Sequence, residues 1–201
     1  MPGAMRSTPF AYVDDVQFRV ARRADAEAIA ALHADSWRRH YRGAYADSFL
    51  DSDVVDDRRA LWSGRLADPT GRLTVVAEDG AELVGFVHVV FDDDDRWGSL
   101  IDNLHVRYGR QRTGIGTTLL ARAGAAVADR ATAPAMYLWV LEQNVAAQRF
   151  YRALGGTFVE STPVTAPGGV PGRLNGSPKK LRFTWPEAAE LAGTVRTLSQ
   201  A

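Results

Sequence analysis

Residues 103–120, NLHVRYGRQRTGIGTTLL, constrain the fold of this chain more than any other stretch. They begin as a strand, pass through a knot of glycines and basic residues, and end as a helix whose Ile115, Leu119, Ala123 and Val127 fall on one face. A helix that starts this way leaves its first backbone N–H groups without intrahelical partners, and its dipole adds roughly half a positive charge there. Gly114 and Gly116 keep that end free of Cβ atoms, which lets a pyrophosphate come close. Arg107, Arg110 and Arg112 supply charge nearby. A tight turn before a helix collects the same residues, so the glycines alone leave two readings open, a turn or an anion cradle. The stretch lacks GxxxxGK[ST], and Leu119 stands where GxGxxG needs its third glycine, which disfavours ATP and NAD.

Composition matters here because any anion site must be local. Lys plus Arg and Asp plus Glu are balanced at 24 each, so no global field draws the chain to nucleic acid or to an anionic membrane. The absence of cysteine excludes disulfides, thiolate metal sites and cysteine nucleophiles. The longest apolar runs, such as LVGFVHVVF, are too short to cross a bilayer, and the N-terminus has no apolar core of the secretory kind. The expectation is a soluble, cytoplasmic protein.

The flanking pattern predicts the remaining elements. Residues 1–15 form a flexible arm without periodicity, and residues 16–201 a single domain. VQFRV alternates as a half-buried strand. Asp25 is placed to cap a helix running to about His40, marked by Ile29, Leu32, Ser36 and Trp37, and a second helix is expected from about Ser52 to Leu66. LTVVAED and LVGFVHVVF read as a hairpin around Gly80. The run Asp92 to Asp95 reads as a solvated hairpin tip, because ion sites usually space their oxygens at alternate positions; no metal is expected. SLIDNLHV returns as a strand, AMYLWVL is a buried strand, and Asn144 caps a helix carrying Ala147, Phe150, Tyr151 and Leu154. TFVES, a long loop from Thr162 to Pro178, the strand KKLRFTW and a terminal helix from Pro186 complete the chain. Early hairpins followed by crossover helices indicate an α/β or α+β sheet with helices on both faces.

The stretch LWVLEQNVAAQRFYRALGGTFVE decides between turn and cradle. With it, the chain resembles the GNAT superfamily of N-acetyltransferases, whose first motif, [QR]xxGx[GA] after a strand ending in L-x-V, is matched by Leu104, Val106 and QRTGIG. Its later motif, roughly NxxAxxFYxxxGF, is matched by Asn144, Ala147, Phe150, Tyr151 and Gly155, with Gly156 and Thr157 inserted before Phe158. The resemblance implies a mixed, mostly antiparallel sheet of six to seven strands, splayed between its fourth and fifth, and acetyl-CoA as cosubstrate without a metal. It places pantetheine against Leu104, His105 and Val106, and the pyrophosphate against Arg112, Thr113, Gly114, Ile115, Gly116 and Thr117. Asn144 would bond the pantetheine arm, the Val106 N–H would face the thioester carbonyl, and Tyr151 would protonate the leaving thiolate. A phenol suits that task because it stays protonated at neutral pH.

One departure bears on the attacking amine. Many members carry a glutamate where this chain has Leu100. Asp102, on the same strand face, is the candidate base by resemblance to polyamine acetyltransferases, with His105 and His88 competing by their ordinary pKa. The acceptor wall is expected from Trp37, Tyr41, Tyr45 and Phe49 together with the Thr162 to Pro178 loop, since aromatic rings can cage an ammonium. The acceptor would be a small-molecule amine, a peptide N-terminus or a lysine. The resemblance also implies a homodimer through a late strand edge or the terminal helix. The expected activity is acetyl transfer to a primary amine by direct attack in a ternary complex. The other readings are a catalytically weak protein that binds or senses acyl-CoA, for which Leu100 speaks, and a nucleotide-binding module.

Overall fold

The structure, a computed structural model, describes residues 15–191 and Gly193. The expected N-terminal arm, Asp15 apart, and the far end of the terminal helix lie outside the described residues. All seven strands join one sheet in the order β1-β2-β3-β4-β5-β7-β6: β1 Val16–Val20, β2 Arg72–Asp79, β3 Glu82–Asp94, β4 Gly98–Val106, β5 Met136–Leu141, β6 Thr157–Pro163 and β7 Lys179–Trp185. Every pairing is antiparallel except β4 with β5.

Helices α1 (Ala26–His40) and α2 (Val54–Ala67) cover one face of the sheet, and α3 (Ile115–Arg130) and α4 (Val145–Ala153) the other. Strand alternation makes both faces apolar where they are covered. Val75, Ala77, Val87 and Val89 pack with Ile115, Leu119 and Val127, whereas Val76 and Phe86 pack with Ile29 and Trp62. α1 begins as the apolar spacing requires, but Asp25 does not cap it. Its carboxylate accepts from the Arg22 N–H at 2.6 Å and pairs with Arg19 at 2.8 Å, closing a short turn ahead of the helix. α2 is preceded by a wide turn over Phe49–Asp53, which moves its start two residues beyond the expected one. The last helix likewise starts late, with helical backbone from Ala189 rather than from Pro186.

Two loops that looked free are tied down. The segment between β6 and β7 lies along the chain after α1: Ala46 N–H donates to Arg173 O at 3.0 Å, Asn175 N–H donates to Ala44 O at 2.9 Å, and Arg173 pairs with Asp57 at 2.6 Å. The aspartate run belongs to the end of β3. Asp92 accepts from the Thr132 and Ala133 N–H groups at 3.0 and 3.3 Å, and Asp93 accepts from the Tyr137 hydroxyl at 2.5 Å. Asp92, Asp93 and Asp95 are exposed, as a hairpin tip requires, while Asp92, Asp93 and Asp94 also stitch the β3 end to the α3–β5 connection or to the turn that follows. Among the described residues no three His, Asp or Glu side chains gather as a metal site, and no helix is long and apolar enough to cross a membrane.

Candidate active site

β4 and β5 stay together for three residue pairs, Ser99 with Met136, Leu100 with Tyr137 and Ile101 with Leu138. A bulge then intervenes, for His88 of β3 faces Asn103 while Val89 faces Ile101, leaving Asp102 as the extra residue. Beyond it, residues 102–106 have β3 along one edge and no strand along the other. Unpaired strand edges need hydrogen-bond partners. A cavity of about 630 Å³ occupies the gap. Its walls come from β4, the 111–117 loop, Leu138 to Val140 of β5, α4 and the C-terminal turn of α1.

The α3 end of this cavity is built from backbone. Arg112 and Gly114 both have positive φ, 63° and 88°, a geometry that turns neighbouring N–H groups toward a common concavity. Gly114 is the residue ahead of α3 and offers no side-chain cap, so the helix keeps its first N–H groups for a ligand. Arg112, Gly114, Gly116 and Thr117 lie on the wall, joined by Gln111 and Phe150, which the sequence placed in the motifs but not in the site. Thr113 instead donates its hydroxyl to Arg110 O at 2.7 Å, and the Ile115 side chain is fully buried in the core. Arg107 and Arg110 contribute less charge than expected, because they pair with Glu82 and Asp79. Asn144 lines the cavity, but its side-chain oxygen accepts from the Ala147 N–H at 3.1 Å and so caps α4.

Tyr151 stands on the inner face of α4, 8 % exposed, with Phe150 and Trp185 edge-on to its ring. Its hydroxyl makes no hydrogen bond among the described residues. Burial, with a smaller contribution from Tyr41, pushes its pKa well above the ordinary phenol value. The group is therefore protonated at any working pH.

At the opposite end, Ser36 and His40 of α1 and Tyr41 just after it line the cavity together with Asp102. Arg65 of α2 pairs with the Asp102 carboxylate at 2.6 Å, and Asn103 Nδ2 donates to the same oxygen at 2.6 Å. Tyr41 is raised to about 12 by burial, with the Asp102 charge acting in the same direction. Trp37 and Tyr45 do not reach the wall. Each is 7 % exposed and packs behind Tyr41 with Phe49 and Leu50, at ring distances of 5.0 to 6.3 Å. Apolar burial has taken the rings that the sequence reading put in the acceptor pocket.

The histidines separate in the same way. His88 is held between Thr74 and Trp62 away from the cavity, its pKa lowered to about 4 by burial. His105 is on the wall, with Nδ1 at 2.8 Å from Ser36 Oγ and the His33 ring 4.6 Å away, and burial lowers it to about 3. His40, one helical turn from Ser36, was not singled out from sequence. Its imidazole lines the cavity without a hydrogen bond among the described residues, and burial lowers its pKa. The signal that finds it is the i, i+4 spacing from Ser36, which is visible only once Ser36 is known to face the gap.

The same fold occurs in solved N-acetyltransferases. The chain belongs to the acetyltransferase (GNAT) family, which residues 28–155 match. It is 27 % identical over 131 residues to an uncharacterized N-acetyltransferase, YuaI, of Bacillus subtilis, covering 64 % of this chain and 73 % of that protein. It superposes on the PaiA N-acetyltransferase of Thermoplasma acidophilum in complex with coenzyme A, with a TM-score of 0.66 and 19 % identity, over 85 % of this chain and 99 % of that one. A second match is YncA of Salmonella typhimurium with acetyl-CoA, at a TM-score of 0.60 and 22 % identity, over 86 % and 94 %.

Proposed function

We propose that this acetyltransferase takes acetyl-CoA and passes the acetyl group to a primary amine by direct attack in a ternary complex. The observation that carries this reading is the opened β4–β5 edge leading into a backbone cradle at the start of α3. An extended, amide-bearing chain with a pyrophosphate at one end satisfies both features. Arg112, Thr113, Gly114, Ile115, Gly116 and Thr117 would hold the pyrophosphate, mainly through N–H groups. The backbone of Leu104, His105 and Val106 would hold the pantetheine amides, with the free amide nitrogen of Asn144 beside them. When bound, acetyl-CoA supplies an acyl thioester that an amine can attack.

The chain's own groups then divide the proton work. Asp102, fixed by Arg65 and Asn103, draws in the acceptor ammonium and takes its proton, directly or through water. The Val106 N–H polarises the acyl carbonyl. Tyr151 gives its proton to the departing sulfur, and its burial keeps that proton in place until the thiolate forms. Tyr41, rather than Trp37 or Tyr45, is the aromatic group that meets the acceptor, a small-molecule amine, a peptide N-terminus or a lysine. The working place of the enzyme is the cytoplasm, and pairing of two copies along the β6 edge, where Phe158 is 45 % exposed, belongs to the same proposal.

Thiol release with a broad panel of amines tests the reading. Wild-type protein is expected to release thiol with at least one amine, and Tyr151→Phe to lower kcat by about a hundredfold with the KM for acetyl-CoA unchanged. Binding of acetyl-CoA without release, identical in the variant, instead supports a protein that only binds or senses acyl-CoA.

A further inference from the structure

The acceptor end of the cavity holds one charge and a set of uncharged polar groups. Among the described residues, Asp102 is the only acid on the cavity wall, and the only lysine or arginine there is Arg112, at the far α3 end. Arg65 and Asn103 both bind the same Asp102 oxygen, Oδ2, each at 2.6 Å, so Oδ1 is left for a ligand. Lys180 and Arg182 lie over the Trp139 indole, but neither lines the cavity. One ammonium can therefore be met at this end. A second cation finds no further carboxylate on the wall, and an anion finds no cation.

Ser36, His40 and His105 share that wall with Asp102. A serine within a helix commonly turns its hydroxyl back to the carbonyl four residues earlier. Ser36 instead reaches across to β4, with Oγ 2.8 Å from His105 Nδ1. The His105 ring is packed against His33 at 4.6 Å and Phe86 at 5.3 Å, and His33 is itself fixed by the Trp62 indole N–H at 3.0 Å. His105 Nε2 has no partner among the described residues and, unlike the Nε2 atoms of His33 and His88, is not sealed in the core. Burial lowers the pKa of both His40 and His105, so both rings are uncharged near neutral pH. A neutral imidazole donates from one nitrogen and accepts at the other, and a ligand hydroxyl answers either role.

This end is also closed on its outer side. Gln143, in the turn after β5, donates from Nε2 to His40 O at 3.0 Å and to Arg42 O at 2.8 Å, which ties the end of α1 to the end of β5. The segment between β6 and β7 binds the next residues, Ala44 and Ala46. An extended peptide running out over β5 meets these bridges, whereas a compact molecule does not.

We propose that the acceptor is a small amine carrying hydroxyl groups, an amino alcohol or amino sugar, with its ammonium on Asp102 Oδ1 and a hydroxyl on His40 and the Ser36–His105 pair. The proposal rests on the N-acetyltransferase reading and narrows its substrate class. His40 and His105 act here on specificity and touch none of the transferred atoms, and Ser36 is a positioning residue for His105.

The test uses full-length protein, acetyl-CoA and thiol release with acceptor pairs whose second member lacks only hydroxyls: ethanolamine with ethylamine, serinol with isopropylamine, and isopropanolamine with propylamine. D-glucosamine stands for the amino sugars. Spermidine, β-alanine and a short peptide with a free N-terminus are the counter-substrates. Wild-type enzyme is expected to favour the hydroxylated member of at least one pair by about tenfold or more in kcat/KM, and to prefer a hydroxylated amine to every counter-substrate. Ser36→Ala and His40→Phe are each expected to cut the pair preference to within about threefold by raising the KM of the hydroxylated member. His40→Gln keeps a polar group and is expected to retain part of the preference, which guards against a Phe variant that folds poorly. A preference unchanged in either Ser36→Ala or His40→Phe, no such preference in any pair, or a counter-substrate ahead of every hydroxylated amine overturns the proposal alone. Absence of thiol release with every acceptor overturns the N-acetyltransferase reading and this proposal together.

Discussion

The two ends of the cavity are made of different materials. The α3 end is a contiguous loop and helix start, built from N–H groups and positive-φ positions at 112 and 114. The acceptor end is built from side chains delivered by four elements: His40 from α1 with Tyr41 just after it, Asp102 from β4, Trp139 from β5, and Arg65 from α2 behind them. A backbone cradle tolerates side-chain change and recognises one generic group. A side-chain chamber is tuned residue by residue, so the two ends should respond differently to mutation.

The largest effect should come from the hinge that both ends share. A Cβ on Gly98, which has φ 76°, would sit 2.1 Å from Ala135 O, at the point where β4 and β5 begin their short pairing. Gly98→Ala is expected to cost about 3 kcal/mol or more by combining a backbone clash with left-handed strain, read as a fall in Tm of roughly 6 °C or more. A variant with unchanged Tm would mean that the apex of the splay is pliable.

Next come the groups proposed to handle protons at the acceptor end. Asp102→Asn is expected to lower kcat/KM for the amine by about a hundredfold, whereas His40→Gln should lower it by less than about tenfold. Neither should shift the KM for acetyl-CoA, because neither lines the α3 end. The reverse ranking would assign the base to His40.

Acid should weaken the α1/α2 side of the sheet more than the α3 side. Burial lowers His33, His88 and His105 below the ordinary histidine value, to about 4 for His88 and about 3 for His105. Between pH 6.5 and about 4 the unfolded chain therefore binds protons that the folded chain refuses. Stability fully present above pH 6.5 is lost as pH falls, at up to about 1.4 kcal/mol per pH unit for each histidine. Urea midpoints measured at pH 7, 6 and 5 should decline stepwise, and a flat series over that range would contradict the neutral, buried assignment. The smallest effect is expected for Tyr45→Phe, which should leave the amine KM within about twofold because that ring packs behind the wall. A tenfold rise would put Tyr45 back in contact with the acceptor.

The same contrast explains what was legible in the sequence. QRTGIG and the Asn144 to Gly155 stretch are local patterns, and local patterns fix local backbone, so the cradle, the α4 cap and the strand–helix order followed directly. Trp37 and Tyr45 were misplaced because aromatic spacing records that a ring is apolar but not which side of a segment closes over it. The second role of the aspartate run was invisible for a related reason. Its partners, the Thr132 and Ala133 N–H groups and the Tyr137 hydroxyl, lie about forty residues away, where no periodicity connects them.

By itself the sequence determined the α/β class, the glycine turn ahead of α3 and the place of Tyr151 on the inner face of α4, since each depends on residues within one or two helical turns of one another. Only the tertiary structure decided the acceptor chamber. Arg65 pairs with Asp102 across 37 positions, and Tyr41 and Trp139 meet the same cavity from nearly a hundred positions apart, through contacts set by sheet register and helix docking. The bulge at Asp102 decided the rest, because one extra residue parts β4 from β5 and turns a continuous sheet into a site.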